Sequence, residues 1–169
     1  IMLSFLKEND NAFFRTNKIG HMTASCFIVN EKMDKVLFCY HNIYDSYAWL
    51  GGHADGEENL LSVALREAKE ESSLKQIRPY DSKILSLEVL CVNGHEKKGE
   101  YVSSHLHFNV TYLFIADEKE RLIIKEDENS SLKWFSFKEA LLASKEPWFV
   151  KRIYPKLIEK VKKIKSGND

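Results

Sequence analysis

Between Gly51 and Leu74 the chain reads GGHADGEENLLSVALREAKEESSL, and no other stretch limits the fold as much. Paired glycines, a polar turn and then a run of good helix formers predict a strand end, a tight loop and a helix over residues 59–72. At 100° per residue, Leu61, Ala64, Leu65 and Ala68 fall on one arc and form the stripe that faces a core. Glu67, Glu70 and Glu71, spaced i, i+3 and i+4, stack on the adjacent arc. Like charges at these spacings repel by a few tenths of a kcal/mol per pair in water, and by more where solvent is excluded. The cluster therefore calls for a positive partner. Arg66 and Lys69 are expected to lie off the carboxylate arc, which leaves a bound divalent cation as the better partner. Hard oxygen ligands suit magnesium, which takes one or two carboxylates and fills its shell with water and substrate phosphate. The plainer alternative is a solvated acidic helix face.

The rest of the chain says what the helix packs against. MLSFLKENDNAFF predicts a short helix with Leu3 and Leu6 inward. HMTASCFIVN and KVLFCYH, separated by the polar EKMD, predict a hairpin, and YAWL at 47–50 a short strand running into Gly51. KILSLEVLCVN and HLHFNVTYLFIA are two long strand candidates, joined by the polar loop GHEKKGEYVSS. LKWFSF predicts a further strand, FKEALLAS a short helix, and FVKRIYPKLIEKVKKIK a terminal helix with Ile153, Leu157, Val161 and Ile164 on one face. Pro155 belongs near its start. Strands interleaved with helices argue an α/β sandwich with a mixed sheet, and 169 residues suit one domain, 1–169.

Composition removes several function classes. Lys plus Arg and Asp plus Glu both total 25, so no basic excess marks an extended nucleic-acid partner. Cys26, Cys39 and Cys91 are isolated, as in a protein with reduced thiols. No apolar run is long enough for a membrane span, and no basic-then-apolar leader opens the chain. The expectation is a cytoplasmic protein acting on a small molecule.

The spacing supplies a more specific reading. Gly52 stands six residues before Glu58, Glu58 eight before Arg66, and Arg66-Glu67-Ala68-Lys69-Glu70-Glu71 runs on toward Leu74. This resembles the Nudix hydrolase signature, G-x5-E-x7-R-E-U-x-E-E-x-G-U with U aliphatic. The box at 52–74 departs from it at one point, Ser73, where the signature has a glycine. The resemblance implies the family's α/β/α sandwich. It also implies hydrolysis of a pyrophosphate linkage in a nucleoside diphosphate derivative, with Mg2+ as cofactor and Mn2+ able to substitute. By position it makes Glu67, Glu70 and Glu71 catalytic metal ligands, Glu67 the first choice of base, and Gly52 a carbonyl ligand. Glu58 and Arg66 become supporting residues that fix the loop and orient Glu67. A homodimer is a further expectation.

Other residues carry weaker signals. His105 and His107 alternate on a strand and so face the same way, which suits a metal, a substrate phosphate or a hydrogen-bonded pair. With His53 they resemble a bacterial subgroup of the family that carries GGHADG and HLH elements. Tyr47 and Trp49, with Tyr44, are candidates to stack on a base or to fill the core. Lys97 and Lys98 are candidates to steer phosphate. Glu126, Asp127 and Glu128 are candidates for a later acidic residue. Two other classes stand beside the hydrolase. A non-catalytic ligand-binding module would be expected to lose box glutamates, and an isoprenoid-diphosphate isomerase would need a cysteine placed for protonation.

Overall fold

Alternating side chains from Gly20 to Asn30 build a strand buried along its whole length, and the other elements are arranged around it. The computed structural model describes residues 1–42, 44–97, 99–124 and 129–167. In chain order its elements are α1 (Met2–Glu8), β1 (Gly20–Asn30), β2 (Lys35–His41), β3 (Ser46–Ala48), β4 (Leu50–His53) and α2 (Leu60–Ser72). There follow β5 (Ile77–Pro79), β6 (Ser86–Val92), β7 (His95–Lys97), β8 (Glu100–Val102), β9 (His105–Ala116) and β10 (Asn129–Ser136). The chain ends in α3 (Phe137–Ala143), a π-helical turn at Phe149–Ile153, and α4 (Tyr154–Lys165).

The main sheet has the order β10-β2-β1-β9-β5, with β3 beside β2, β4 beside β1 and β6 beside β9. β1 and β9 run parallel from the pair Gly20 and Leu106 to the pair Asn30 and Ala116, and the other pairings are antiparallel. The sheet is therefore mixed, as expected. Met22, Ala24, Cys26 and Ile28 enter one apolar cluster with Val63, Ala64 and Ala68 of α2. Phe27 and Val29 enter a second with Ala140 of α3 and Leu157, Ile158 and Val161 of α4. Helices on both faces explain why β1 is apolar on both sides over this half.

Local chemistry accounts for most element ends. Asn59 caps α2, its side chain accepting from the Ser62 N–H at 3.1 Å. Ser136 and Glu139 form a reciprocal capping box at the start of α3. Pro155 lies in the first turn of α4, where it has no N–H to lose. Ile153, Leu157, Val161 and Ile164 all pack inward.

Ser73 occupies the position after α2 at φ 55° and ψ 17°, with its N–H donating to the Lys69 carbonyl at 2.8 Å. The helix thus ends in the left-handed turn that glycine favours, with serine bearing the strain. Ser73→Gly is expected to stabilise the fold by about 1 kcal/mol, raising the thermal midpoint by roughly 2–4 °C. An unchanged or lower midpoint in a scanning melt would show that the serine conformation costs nothing here.

Three expectations need correction, and one strand was not expected. Met2, Phe5 and Leu6 are the packed face of α1, while Leu3 is 74% exposed, because i, i+3 and i+4 from Met2 share a side. YAWL is two strands, since the chain leaves β2 after Ala48 and joins β1 from Leu50. The loop GHEKKGEYVSS contains the β7–β8 hairpin, paired from His95 and Val102 to Lys97 and Glu100. IRP at 77–79 is an added edge strand, a place where Pro79 breaks no inner ladder. No helix among the described residues is long and apolar enough to cross a membrane.

Candidate active site

The glycine pair sets the geometry of the acidic helix. A Cβ on Gly52 would stand 2.4 Å from both Cδ and Oε2 of Glu67, so the bare backbone is what lets that carboxylate lie against β4. At Gly51 a Cβ would meet the Ala24 carbonyl oxygen at 2.5 Å and the Ser25 Cα at 2.7 Å. Gly51 also donates its N–H to Glu71 Oε2 at 3.0 Å. Glu67 and Glu71 are half-buried and reach the cleft beside β4, whereas Glu70 is exposed and not among the residues lining it.

Arg66 corrects the helical-wheel expectation. Its Nη2 donates to Glu67 Oε1 at 2.9 Å and to the His53 carbonyl at 3.1 Å. The wheel places Cβ atoms, and a guanidinium on a long stem reaches past its own arc. One group therefore braces the carboxylate and ties it to the last residue of β4, where the loop to α2 begins. Glu58 is exposed in that loop, ahead of the helix. Arg15 holds the same loop at the cleft's edge, its guanidinium forked onto Asp55 with two contacts of 2.7 Å.

The cleft has a volume of about 700 Å³. Its floor is the polar half of the sheet face whose other half packs under α4. Thr23 and Ser25 donate to Asn109 Oδ1 at 2.9 and 3.0 Å. Asn109 donates to Thr111, and Thr111 to Glu88 Oε2, each at 3.1 Å. Glu88 is buried and closes the chain through Ser86 at 2.6 Å and the Lys156 ammonium at 2.7 Å. A satisfied network of this kind holds the floor in one arrangement.

At one end of this floor four imidazoles meet. His21 of β1 lies in register with His107 of β9, and His53 of β4 and His105 of β9 adjoin them. Ring centroids of neighbouring pairs are 5.0–5.1 Å apart. Burial, followed by the surrounding His53, His21 and His105 rings, pushes His107 down to about 2. Burial also lowers His21. The expectation that His105 and His107 face one way holds, their Nε2 atoms lying 3.2 Å apart.

The remaining candidates divide. Trp49 lines the cleft and packs edge-on to Phe149 and Tyr154. Tyr44 lines it beside His41. Tyr47 does not; it packs on Tyr40 and Phe135, its hydroxyl donating to Ser131 at 3.1 Å. Lys98, Glu126, Asp127 and Glu128 lie outside the described residues. His21 and Asn109 carried no weight in the sequence reading, although the alternation of His21, Thr23 and Ser25 within an apolar strand marks a polar face.

The model of the NUDIX domain matches residues 20–157. The chain belongs to the Nudix family. Nudix proteins are hydrolases acting on acid anhydrides of the pyrophosphate kind, and this chain is one of them. Solved structures share the fold. The chain is similar to a C. elegans Ap4A hydrolase at 18% identity and TM-score 0.61, over 86% of this chain and 98% of that one. It is similar to a Nudix-family hydrolase from Clostridium perfringens at 23% identity and TM-score 0.61, over 85% and 97%. A UDP-X diphosphatase aligns at 17% identity and TM-score 0.56, over 88% of this chain and 64% of that one. No curated protein matches the sequence.

Proposed function

We propose that this Nudix protein is a magnesium-dependent hydrolase that cleaves the pyrophosphate linkage of a small nucleoside diphosphate derivative, with Glu67 as the base. The observation that carries the reading is the placement of Glu67. Its carboxylate lies against a side-chain-free backbone at Gly52 and is braced by Arg66, on the wall of a cleft of about 700 Å³. Glu67 and Glu71 offer oxygens alone at this edge, a donor set that fits a hard dication. Glu67, Glu70, Glu71 and the Gly52 carbonyl would hold Mg2+, or Mn2+ in its place, and the ion would neutralise phosphate oxygens and acidify water.

The chain's own residues supply the rest. Glu67 takes a proton as water oxygen attacks phosphorus, the bridging P–O bond breaks, and the departing phosphate carries away the electron pair. Arg66 holds Glu67 Oε1 at 2.9 Å, leaving the second oxygen for that proton. Trp49 on the cleft wall offers a ring face for a base. The proposal includes the bacterial subgroup with GGHADG and HLH elements, a cytoplasmic setting and a homodimer.

The test is a panel of nucleoside diphosphate derivatives with magnesium, products identified by mass. A nucleoside monophosphate and a second phosphorylated product are expected, and chelator should abolish turnover. Magnesium at millimolar concentration should also raise the thermal midpoint, because an ion that binds only the folded state stabilises it by mass action. Tight nucleotide binding without turnover would instead make the protein a binding module. Isomerisation of an isoprenoid diphosphate is less favoured. Cys26 and Cys39 are buried with their thiols pushed up by burial, and the Cys91 thiol, exposed on the cleft wall, has no side-chain hydrogen bond among the described residues.

A further inference from the structure

The histidine cluster has a hydrogen-bond inventory that does not close. His21 places Nδ1 3.3 Å from the Asn17 carbonyl, and His105 places Nδ1 2.8 Å from the Ser103 carbonyl. A carbonyl oxygen can only accept, so each Nδ1 carries the proton and each Nε2 presents a lone pair. His21 is 4% exposed and its Nε2 is buried without a hydrogen-bond partner. His105 Nε2 faces His107 Nε2 at 3.2 Å. A neutral His107 can donate from that nitrogen to one lone pair at most, which leaves an acceptor unsatisfied in a site where an orphaned polar atom is costly.

We propose that His21, His105 and His107 form a second metal site that takes a transition-metal dication of the zinc class, separate from the carboxylate site on α2. One ring nitrogen from each lies within 4.8 Å of the other two. Nitrogens on a tetrahedral ion at about 2.0–2.1 Å stand about 3.3 Å apart, and the His105–His107 separation of 3.2 Å already has that value. Imidazole nitrogens select zinc, cobalt, nickel or copper over magnesium, which prefers oxygen. Two of the three rings donate Nδ1–H to backbone carbonyls, the outer hydrogen bond that fixes the tautomer and aims a metal-binding histidine. Three histidines leave one coordination position open toward the cleft, a position suited to an anionic oxygen of the bound substrate. The ligands come from β1 and β9, whose parallel ladder sets His21 against His107.

The test uses cobalt as a spectroscopic probe on metal-stripped full-length protein, with millimolar magnesium present to fill the carboxylate site. The wild type is expected to take up one cobalt with visible ligand-field bands, and zinc should displace it. His105→Asn and His107→Asn, checked for folding by circular dichroism, should each weaken binding by at least the roughly 10- to 100-fold lost when only an outer-shell partner is removed. Glu67→Gln should leave uptake unchanged. X-ray absorption on zinc-loaded wild type should show imidazole scattering from three ligands, a readout that needs no variant to fold. No uptake above magnesium competition, an all-oxygen shell, or binding lost in Glu67→Gln and kept in the histidine variants would overturn the site. None of these outcomes bears on whether the α2 carboxylates support hydrolysis.

Discussion

Glu67→Gln is expected to lower kcat about 10²- to 10⁴-fold, the usual worth of a positioned general base, with KM little changed. Glutamine has the same length and keeps a carbonyl oxygen that can accept from Arg66, which now bonds Glu67 Oε1 at 2.9 Å. The side chain would therefore remain beside Gly52 and still offer an oxygen to a cation, yet it could not accept a proton. Loss of rate without loss of substrate affinity is the signature of an interaction made in the transition state alone. The measurement requires a substrate found in the nucleotide panel and saturating magnesium for both proteins. Near-normal kcat in this variant, with activity abolished in Glu70→Gln or Glu128→Gln, would assign the base elsewhere and leave metal-dependent hydrolysis standing.

The second large effect is expected at Gly52, where Gly52→Ala should reduce kcat by about 10²-fold or more while the thermal midpoint stays close to wild type. The added methyl would sit 2.4 Å from the Glu67 carboxylate, and that carboxylate is the free end of a flexible side chain, so it can move aside without disturbing the fold. It would then stand away from the water it has to deprotonate, and a displacement of about 1 Å can cost 10²-fold in rate. Gly51→Ala makes the contrast, because its methyl would meet the backbone of Ala24 and Ser25 and has nowhere to go. That variant should melt lower. A Gly52→Ala enzyme with full activity would show that the position of Glu67 against β4 is irrelevant to turnover.

Features set by local periodicity were legible in the chain. The α2 stripe, the β1–β2 hairpin, the full extent of β9 and the inward face of α4 follow from spacing alone, and the signature around Glu67 points to the family from the sequence by itself. What escaped depends on distant partners or on reach. His21 reads as one polar residue in an apolar strand, and only the parallel pairing with β9 brings it to His107. The β7–β8 hairpin has too few apolar residues to show a period. Arg66 looked misplaced because a wheel records direction and ignores side-chain length. Asn109 gains its meaning from Thr23, Ser25 and Thr111, residues that sequence order scatters over two strands.

The parallel ladder between β1 and β9 also orders events in time. Pairing residues more than eighty positions apart closes a long loop, which is slow compared with winding α2 or zipping the β1–β2 hairpin. The carboxylate side of the cleft can therefore assemble early, whereas the histidine side forms only when β9 docks. Until it docks, β1 lacks its neighbour along one edge, and that edge is a template for another chain. The strand that carries the cleft floor is thus the segment through which a nascent or heated chain most readily aggregates.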